Sequence, residues 1–150
     1  MGKYKISELK VKKAEYRRSV NSAMMDIIQE QIMDIIVTQK MYRDKDYSAK
    51  KLAEEIGTNT CYISAVVNTR FHMNYSQFVN KYRIDEAMRI LADLHYQDLS
   101  IVDIFDMVGF GNRQSFYASF YRFTGVTPRQ YRLDCLKKQK SLRWQEKQLP

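Results

Sequence analysis

Cysteine, histidine, proline and glycine are all scarce in this sequence, and each shortage removes a class of protein. Two cysteines, Cys61 and Cys135, cannot build a disulfide framework, and no CxxC spacing marks a structural zinc site. The two histidines, His72 and His95, are far apart and fit no metal-ligand spacing. There is no glycine-rich phosphate loop and no nucleophile elbow. Carboxylate pairs such as Glu54/Glu55 and Asp85/Glu86 fall on helical stretches, where a solvated face is the ordinary reading. No catalytic residue, metal or cofactor is therefore expected, and the chain reads as a non-enzyme. With 5 Gly and 2 Pro, a turn-rich all-β fold is disfavoured. Long apolar runs are missing too. The most apolar stretch, Met24–Val37, is broken by Asp26, Gln29, Glu30, Gln31 and Asp34, so it cannot span a bilayer and no membrane partner is expected. No secretory leader is visible, and with so little cysteine the chain fits a reducing cytosol.

What is present points to a packed helical protein with an anionic partner. Hydrophobic residues make up 45% of the 150, enough for a core in one domain or two very small ones. The net charge of +8 (25 Lys and Arg against 17 Asp and Glu) is unevenly spread. Residues 1–46 carry 10 basic and 7 acidic side chains, 47–108 carry 6 and 8, and 109–150 carry 9 and 2. A basic excess concentrated at one end suits nucleic acid better than a uniformly solvated surface does.

The stretch Ser100–Arg132 organises the reading. Ser100 caps a helix whose apolar residues Ile101, Ile104, Phe105 and Val108 share one face. Gly109 ends it in a left-handed turn, Phe110 anchors the turn, and Gly111 or Asn112 starts the next helix. That helix is expected to bury Phe116, Phe120 and Phe123 and to present Arg113, Gln114, Tyr117 and Ala118 outward. Gly125 closes it, and Thr127-Pro128 opens another helix. Two short helices around a glycine turn, the second with a polar outer face, are the ingredients of a helix-turn-helix reader.

The same unit occurs earlier. Ser48 caps a helix with Leu52, Ala53 and Ile56 inward, Gly57 makes the turn, and Asn59 caps a helix with Ile63, Val66 and Val67 inward. Thr60, Cys61, Ser64, Ala65 and Asn68 face out. The repeat distance is about 53 residues, with one extra residue in the second copy, and implies two similar surfaces on one chain. Before the first unit, residues 1–18 read as a basic arm, open to phosphate contact or to a solubilising role, and residues 20–42 as one helix with a wide apolar stripe through Met24, Met25, Ile28, Ile32, Ile35 and Ile36. Between the units, 69–74 reads as a loop and 75–94 as a long helix with Phe78, Val79, Tyr82, Ile84, Ala87, Met88, Leu91 and Leu94 as candidate buried positions. At about 1.5 Å per residue such a helix is about 28 Å long, close to the ~34 Å between successive major grooves on one side of duplex DNA.

Val108-Gly109-Phe110, Phe116, Phe120, Thr124-Gly125-Val126-Thr127-Pro128 and Tyr131-Arg132 resemble the signature of the AraC/XylS transcription regulators. The resemblance covers Tyr47 to Arg132 and meets several fixed spacings at once. It implies an all-α fold of two helix-turn-helix subdomains joined by a long linker helix, here with an extra N-terminal helix. It implies a bacterial, cytoplasmic regulator, an activator in most members, that binds double-stranded DNA and touches RNA polymerase. Arg83 matches an arginine that the family carries in the connecting helix. The DNA-binding set on the first recognition helix is Asn59, Thr60, Cys61, Tyr62, Ser64, Ala65 and Asn68, and on the second Asn112, Arg113, Gln114, Tyr117, Ala118 and Tyr121. Arg70, Arg122 and Arg129 are the phosphate candidates. Arg113 can take a guanine bidentately and Gln114 an adenine, while Tyr117 can meet a backbone or a thymine methyl. The first reader carries only short side chains, so the second unit is expected to supply more affinity.

Three positions depart from the family pattern. Ala65 and Ala118 stand where members often place a long basic or polar reader, and Phe105 replaces a small residue. The domain boundaries expected are 1–46 for the arm and N-terminal helix, 47–132 for the double helix-turn-helix, and 133–150 for a basic tail. Residues 1–46 are too few for a ligand pocket, which leaves control by abundance or a role as the output piece of a larger regulator. A monomer on DNA and a weak dimer through the N-terminal helix both remain open. The competing reading of the whole chain is a protein-interaction module on a degenerate helix-turn-helix scaffold. For Cys61 alone a redox-sensing or alkyl-accepting role competes with that of a small groove residue.

Overall fold

A computed structural model describes residues 21–150 together with Lys10 and Lys12. The basic arm expected at 1–18 therefore lies outside the described residues, those two lysines excepted. Every regular element among the described residues is helical. Helix α1 covers 21–32 and runs on into a π-helical segment, Met33–Thr38, whose wider turn is closed by Gln39 N–H donating to the Asp34 carbonyl at 2.9 Å. Lys40 then takes a left-handed conformation (φ +57°), and Met41–Arg43 forms one 3₁₀ turn. The single helix expected over 20–42 is thus interrupted, because a left-handed residue cannot continue a right-handed ladder.

The first helix-turn-helix is α2 (Ala49–Ile56) and α3 (Thr60–Phe71). Helix α4 (Tyr75–Ala92) follows, then a 3₁₀ turn at Leu94–Tyr96. The second helix-turn-helix is α5 (Ile101–Val108) and α6 (Arg113–Thr124), and α7 (Pro128–Glu146) ends the fold. Two expected boundaries move: α3 takes up part of the loop placed at 69–74, and α4 stops at Ala92 because Asp93 leaves the helical region and accepts from His95 N–H.

The repeat is residue-exact within each helix. α2 and α5 both have 8 residues, serine caps and left-handed glycine ends, at Gly57 and Gly109. α3 and α6 both have 12 residues and asparagine caps, and both end on a left-handed residue, His72 in the first copy and Gly125 in the second. The extra residue of the second copy lies in the turn, where Phe110 and Gly111 replace Thr58 alone. Asp103 adds a capping box to α5, and the Ser100 side chain and backbone hydrogen bonds hold its carboxyl below the usual carboxylate range.

The chain divides into two compact units. One comprises the N-terminal segment through Gln39 together with Ser48–Tyr75, and the other comprises Lys40–Tyr47 together with Ser76–Pro150. In the first unit Ile28, Ile32, Ile35, Ile36, Leu52, Ala53, Ile63, Val66 and Val67 are buried. Arg70 of α3 pairs with Asp26 of α1 at 2.7 Å and donates to the Ser22 carbonyl at 3.5 Å.

In the second unit one cluster joins Ile84, Ala87, Ile90 and Leu91 of α4, Ile104, Phe105 and Val108 of α5, Phe110 in the turn, and Phe116 and Phe120 of α6. Phe116 is fully buried at its centre, within 5.7 Å of the Phe105, Phe110 and Phe120 rings. Phe105, where the resemblance had implied a small residue, is buried against it. Phe123 does not join this core as expected: it is 40% exposed, and Tyr131 of α7 packs on Phe120 instead, at 5.6 Å. In α4, Ile90 and Glu86 are buried where only solvated or unassigned positions had been expected, whereas Tyr82 and Met88, and Leu94 in the turn after it, are half-buried.

Polar contacts fasten residues 40–47 to the second unit. Arg83 donates to the Tyr42 carbonyl at 2.6 Å, to the Asp44 carbonyl at 3.2 Å and to Asn80 at 3.1 Å. Arg43 pairs with Glu86, its Nε donating at 3.0 Å. Burial by itself pushes the Glu86 carboxyl up, but hydrogen bonds from Arg43 and Tyr42 outweigh it and hold the group below the usual range. Burial, and then its bond to Glu86, pushes the Tyr42 hydroxyl up. The carboxylate pair Asp85/Glu86 is therefore only half a solvated face.

Candidate nucleic-acid interface

Each recognition helix is set by its cap. Asn59 Oδ1 accepts from Tyr62 N–H at 3.0 Å, and Asn112 Oδ1 accepts from Ser115 N–H at 2.8 Å. Both asparagines thus commit their carbonyl oxygen to the helix start and keep both amide N–H donors for another partner. With the starts fixed, the buried residues Ile63, Val66 and Val67 of α3, and Phe116 and Phe120 of α6, decide which faces point outward.

On α3 the outward face is short and weakly polar. Thr60, Cys61, Ser64, Ala65 and Asn68 are all exposed, and Tyr62 is 44% exposed beside them. On α6 Arg113, Gln114, Ala118 and Tyr121 are exposed and Tyr117 is half-buried. The Arg113 guanidinium lies over the Tyr117 ring, 4.7 Å from its centroid, and Nη2 donates to the Tyr117 hydroxyl at 3.4 Å. Position for position, Thr60 and Ser64 of the first copy stand where Arg113 and Tyr117 stand in the second.

The three phosphate candidates differ. Arg122 and Arg129 are exposed and have no partner among the described residues. Arg70 is already committed to Asp26 and the Ser22 carbonyl, so a phosphate must compete with an existing ion pair. Helix α7 adds Lys137, Lys138, Lys140, Arg143 and Lys147, all exposed. It is held to its unit by Arg132 donating to the Leu99 carbonyl at 2.8 Å and by Gln139 donating to the Ala92 carbonyl at 2.6 Å. Sequence reasoning placed Arg83 by resemblance alone. Its contacts with residues 42 and 44 span some 40 positions and leave no local signal. Among the described residues no group of histidines, cysteines and carboxylates is arranged to hold a metal, and no helix is long and apolar enough to cross a membrane.

Comparison with known proteins agrees with this architecture. A helix-turn-helix domain family matches residues 52–134. An uncharacterized HTH-type transcriptional regulator of Staphylococcus aureus is 32% identical over 116 residues, which are 77% of this chain and 15% of that protein. The melibiose operon regulatory protein of Escherichia coli is 28% identical over 89 residues, 59% of this chain and 28% of that one. The chain thus spans well under a third of the length of these relatives. The C-terminal domain of the two-component response regulator yesN from Fusobacterium nucleatum superposes with a TM-score of 0.61 at 25% identity, covering 69% of this chain and 96% of that domain. With more than half of its length matched and both helix-turn-helix copies in place, the chain belongs to the AraC/XylS family of helix-turn-helix transcriptional regulators.

Proposed function

We propose that this chain is a sequence-specific double-stranded DNA-binding regulator that inserts α3 and α6 into successive major-groove segments. The observation that carries the reading is the exposed face of α6. A capped helix presents Arg113, Gln114 and Tyr121, next to unpaired Arg122 and Arg129, within a segment holding 9 basic and 2 acidic residues. Arg113 and Gln114 carry the donor and acceptor groups that suit guanine and adenine edges, and the surrounding cations would supply the sequence-independent affinity. The first reader, built from Thr60, Cys61, Ser64 and Asn68, makes single hydrogen bonds and methyl contacts. Asn59, Tyr62 and Ala65 flank it, as Asn112 and Ala118 flank the second, and Arg70 reaches phosphate only by leaving Asp26. The α6 unit thus carries most of the affinity. Family membership alone supports a positive sign of regulation through RNA polymerase, a cytoplasmic site of action and binding as a monomer that uses both readers.

The test is selection of bound duplexes from a random library, with affinity measured from 50 to 200 mM salt. Neutralising about 6–10 phosphates predicts a loss of about 10³–10⁵ across that range. Two short motifs about one helical turn apart are expected. Salt-insensitive binding without enrichment would overturn the reading in favour of a protein-interaction module.

A further inference from the structure

We propose that Tyr117 is a positioning residue that fixes Arg113 for base readout, rather than a DNA contact in its own right. The inference rests on the DNA-binding reading above and adds a division of labour within α6. Arg113 is the first residue of the helix and Tyr117 lies one turn on, so the two side chains share a face. The guanidinium carbon sits 4.7 Å from the ring centroid, and Nη2 reaches the phenol oxygen at 3.4 Å. The ring is itself held: Tyr117 is half-buried, packs on the second unit's core and meets Phe116 edge-on at 5.9 Å and 88°. An anchored aromatic thus carries an otherwise exposed cation.

The physical consequence follows from what limits arginine as a reader. Its planar fork matches guanine only in one orientation, and a free side chain gives up considerable rotamer entropy to reach it. A ring beneath the guanidinium removes part of that freedom before DNA arrives, as preorganisation generally does. The first recognition helix has Thr60 and Ser64 at the matching positions and so lacks both the fork and its support.

The experiment measures affinity of the full chain for its selected duplex and for the set of single base-pair substitutions. Wild type, Arg113→Ala, Arg113→Lys, Tyr117→Phe, Tyr117→Leu and the Arg113→Ala/Tyr117→Leu double variant are compared, with circular dichroism confirming the fold of each. Arg113→Ala and Arg113→Lys are expected to flatten preference at one base pair. Tyr117→Leu should relax the same base pair about two- to fivefold, the range an exposed cation–π contact supports, and leave the others unchanged. Tyr117→Phe, which keeps the ring, should retain most of the preference, and the double variant should discriminate no worse than Arg113→Ala alone. A uniform loss across all sequences in Tyr117→Leu would make Tyr117 a phosphate contact or a structural residue, and a loss at a different base pair would make it a direct reader. Either result overturns the proposal, as does loss of preference in Tyr117→Phe, which decides the matter if Tyr117→Leu does not fold. A wild type with no sequence preference fails the DNA-binding reading itself and is recognised before any variant is measured.

Discussion

Replacing Gly109 by alanine should be far more damaging than replacing Gly57, although both glycines end the first helix of a helix-turn-helix in a left-handed conformation. Gly57 has φ +84° and open space where a Cβ would stand. Gly57→Ala should therefore cost only the backbone penalty, about 1–2 kcal/mol. Gly109 has φ +103°, and a Cβ there would lie 2.4 Å from the Tyr42 carbonyl oxygen and 2.7 Å from that of Arg43. The first distance is about 1 Å short of an ordinary C···O contact. The obstacle is backbone, so no side-chain rotation relieves it. Either the α5 end or the 41–43 turn must retreat, and the latter pulls on the bond from Arg83 to the Tyr42 carbonyl. Adding about 1–3 kcal/mol for overpacking gives about 2–5 kcal/mol for Gly109→Ala. For a unit of this size that lowers the melting temperature by at least about 8 °C. Urea unfolding followed by circular dichroism, with both variants measured in parallel, checks the difference. Equal costs would refute the reasoning, since they would mean that residues 42 and 43 do not press on the turn.

Three further outcomes follow from particular contacts. His72 ends α3 at φ +56°, where the second copy has Gly125. His72→Gly should raise stability by about 0.5–1 kcal/mol, the left-handed penalty removed less the unfolded-state entropy of glycine, read as a higher urea midpoint. Arg83→Ala strips a charged donor from the Tyr42 and Asp44 carbonyls and should cost about 2–4 kcal/mol in the same assay. Glu86 has a folded-state pKa below its unfolded one, so its contribution is fully present above the ordinary glutamate range and is lost as pH falls through the folded value. Because Arg43 is 47% exposed the contribution is modest, about 1 kcal/mol, and Glu86→Gln should flatten the acid side of the stability–pH curve below about pH 4.5 without changing its slope near neutrality.

Local chemistry made most of this fold legible. Ser48, Asn59, Ser100 and Thr127 all cap the helices they were read to start, and Asn112 rather than Gly111 caps α6, because a cap is a bond to a backbone N–H three residues on and needs no distant partner. The turn glycines and the alternation of buried positions in α2, α3 and α5 are local in the same sense. The failures share a different property. Phe123 has the right spacing for the core, but spacing cannot say that Tyr131 of the next helix packs on Phe120 there. Glu86 has the look of a surface acid, and Arg43 and Tyr42, more than 40 positions away, make its burial tolerable. Lys40 carries none of the glycine or asparagine signal of a left-handed residue, so the break in the N-terminal helix was invisible.

The segment Lys40–Tyr47 gathers these misses into one physical point. Residues 52–134 contain the family match and both readers, yet the second unit also includes this segment, which lies before the first reader in sequence. Tyr42 and Tyr47 are buried, Arg43 neutralises Glu86, and the Tyr42 and Arg43 carbonyls fill the space that Gly109 leaves open. Gly109 also sets the turn that leads into α6, and α6 carries Arg113 and Gln114. A change at residues 41–44 therefore reaches the proposed readout helix through a backbone-to-backbone contact that no reader residue shares. If that chain of contacts matters, Arg43→Ala should weaken DNA binding together with stability, while Arg122→Ala, on an exposed and unpaired cation, should weaken binding and leave stability alone. Equal effects of the two substitutions on stability would sever the link between this segment and the reader.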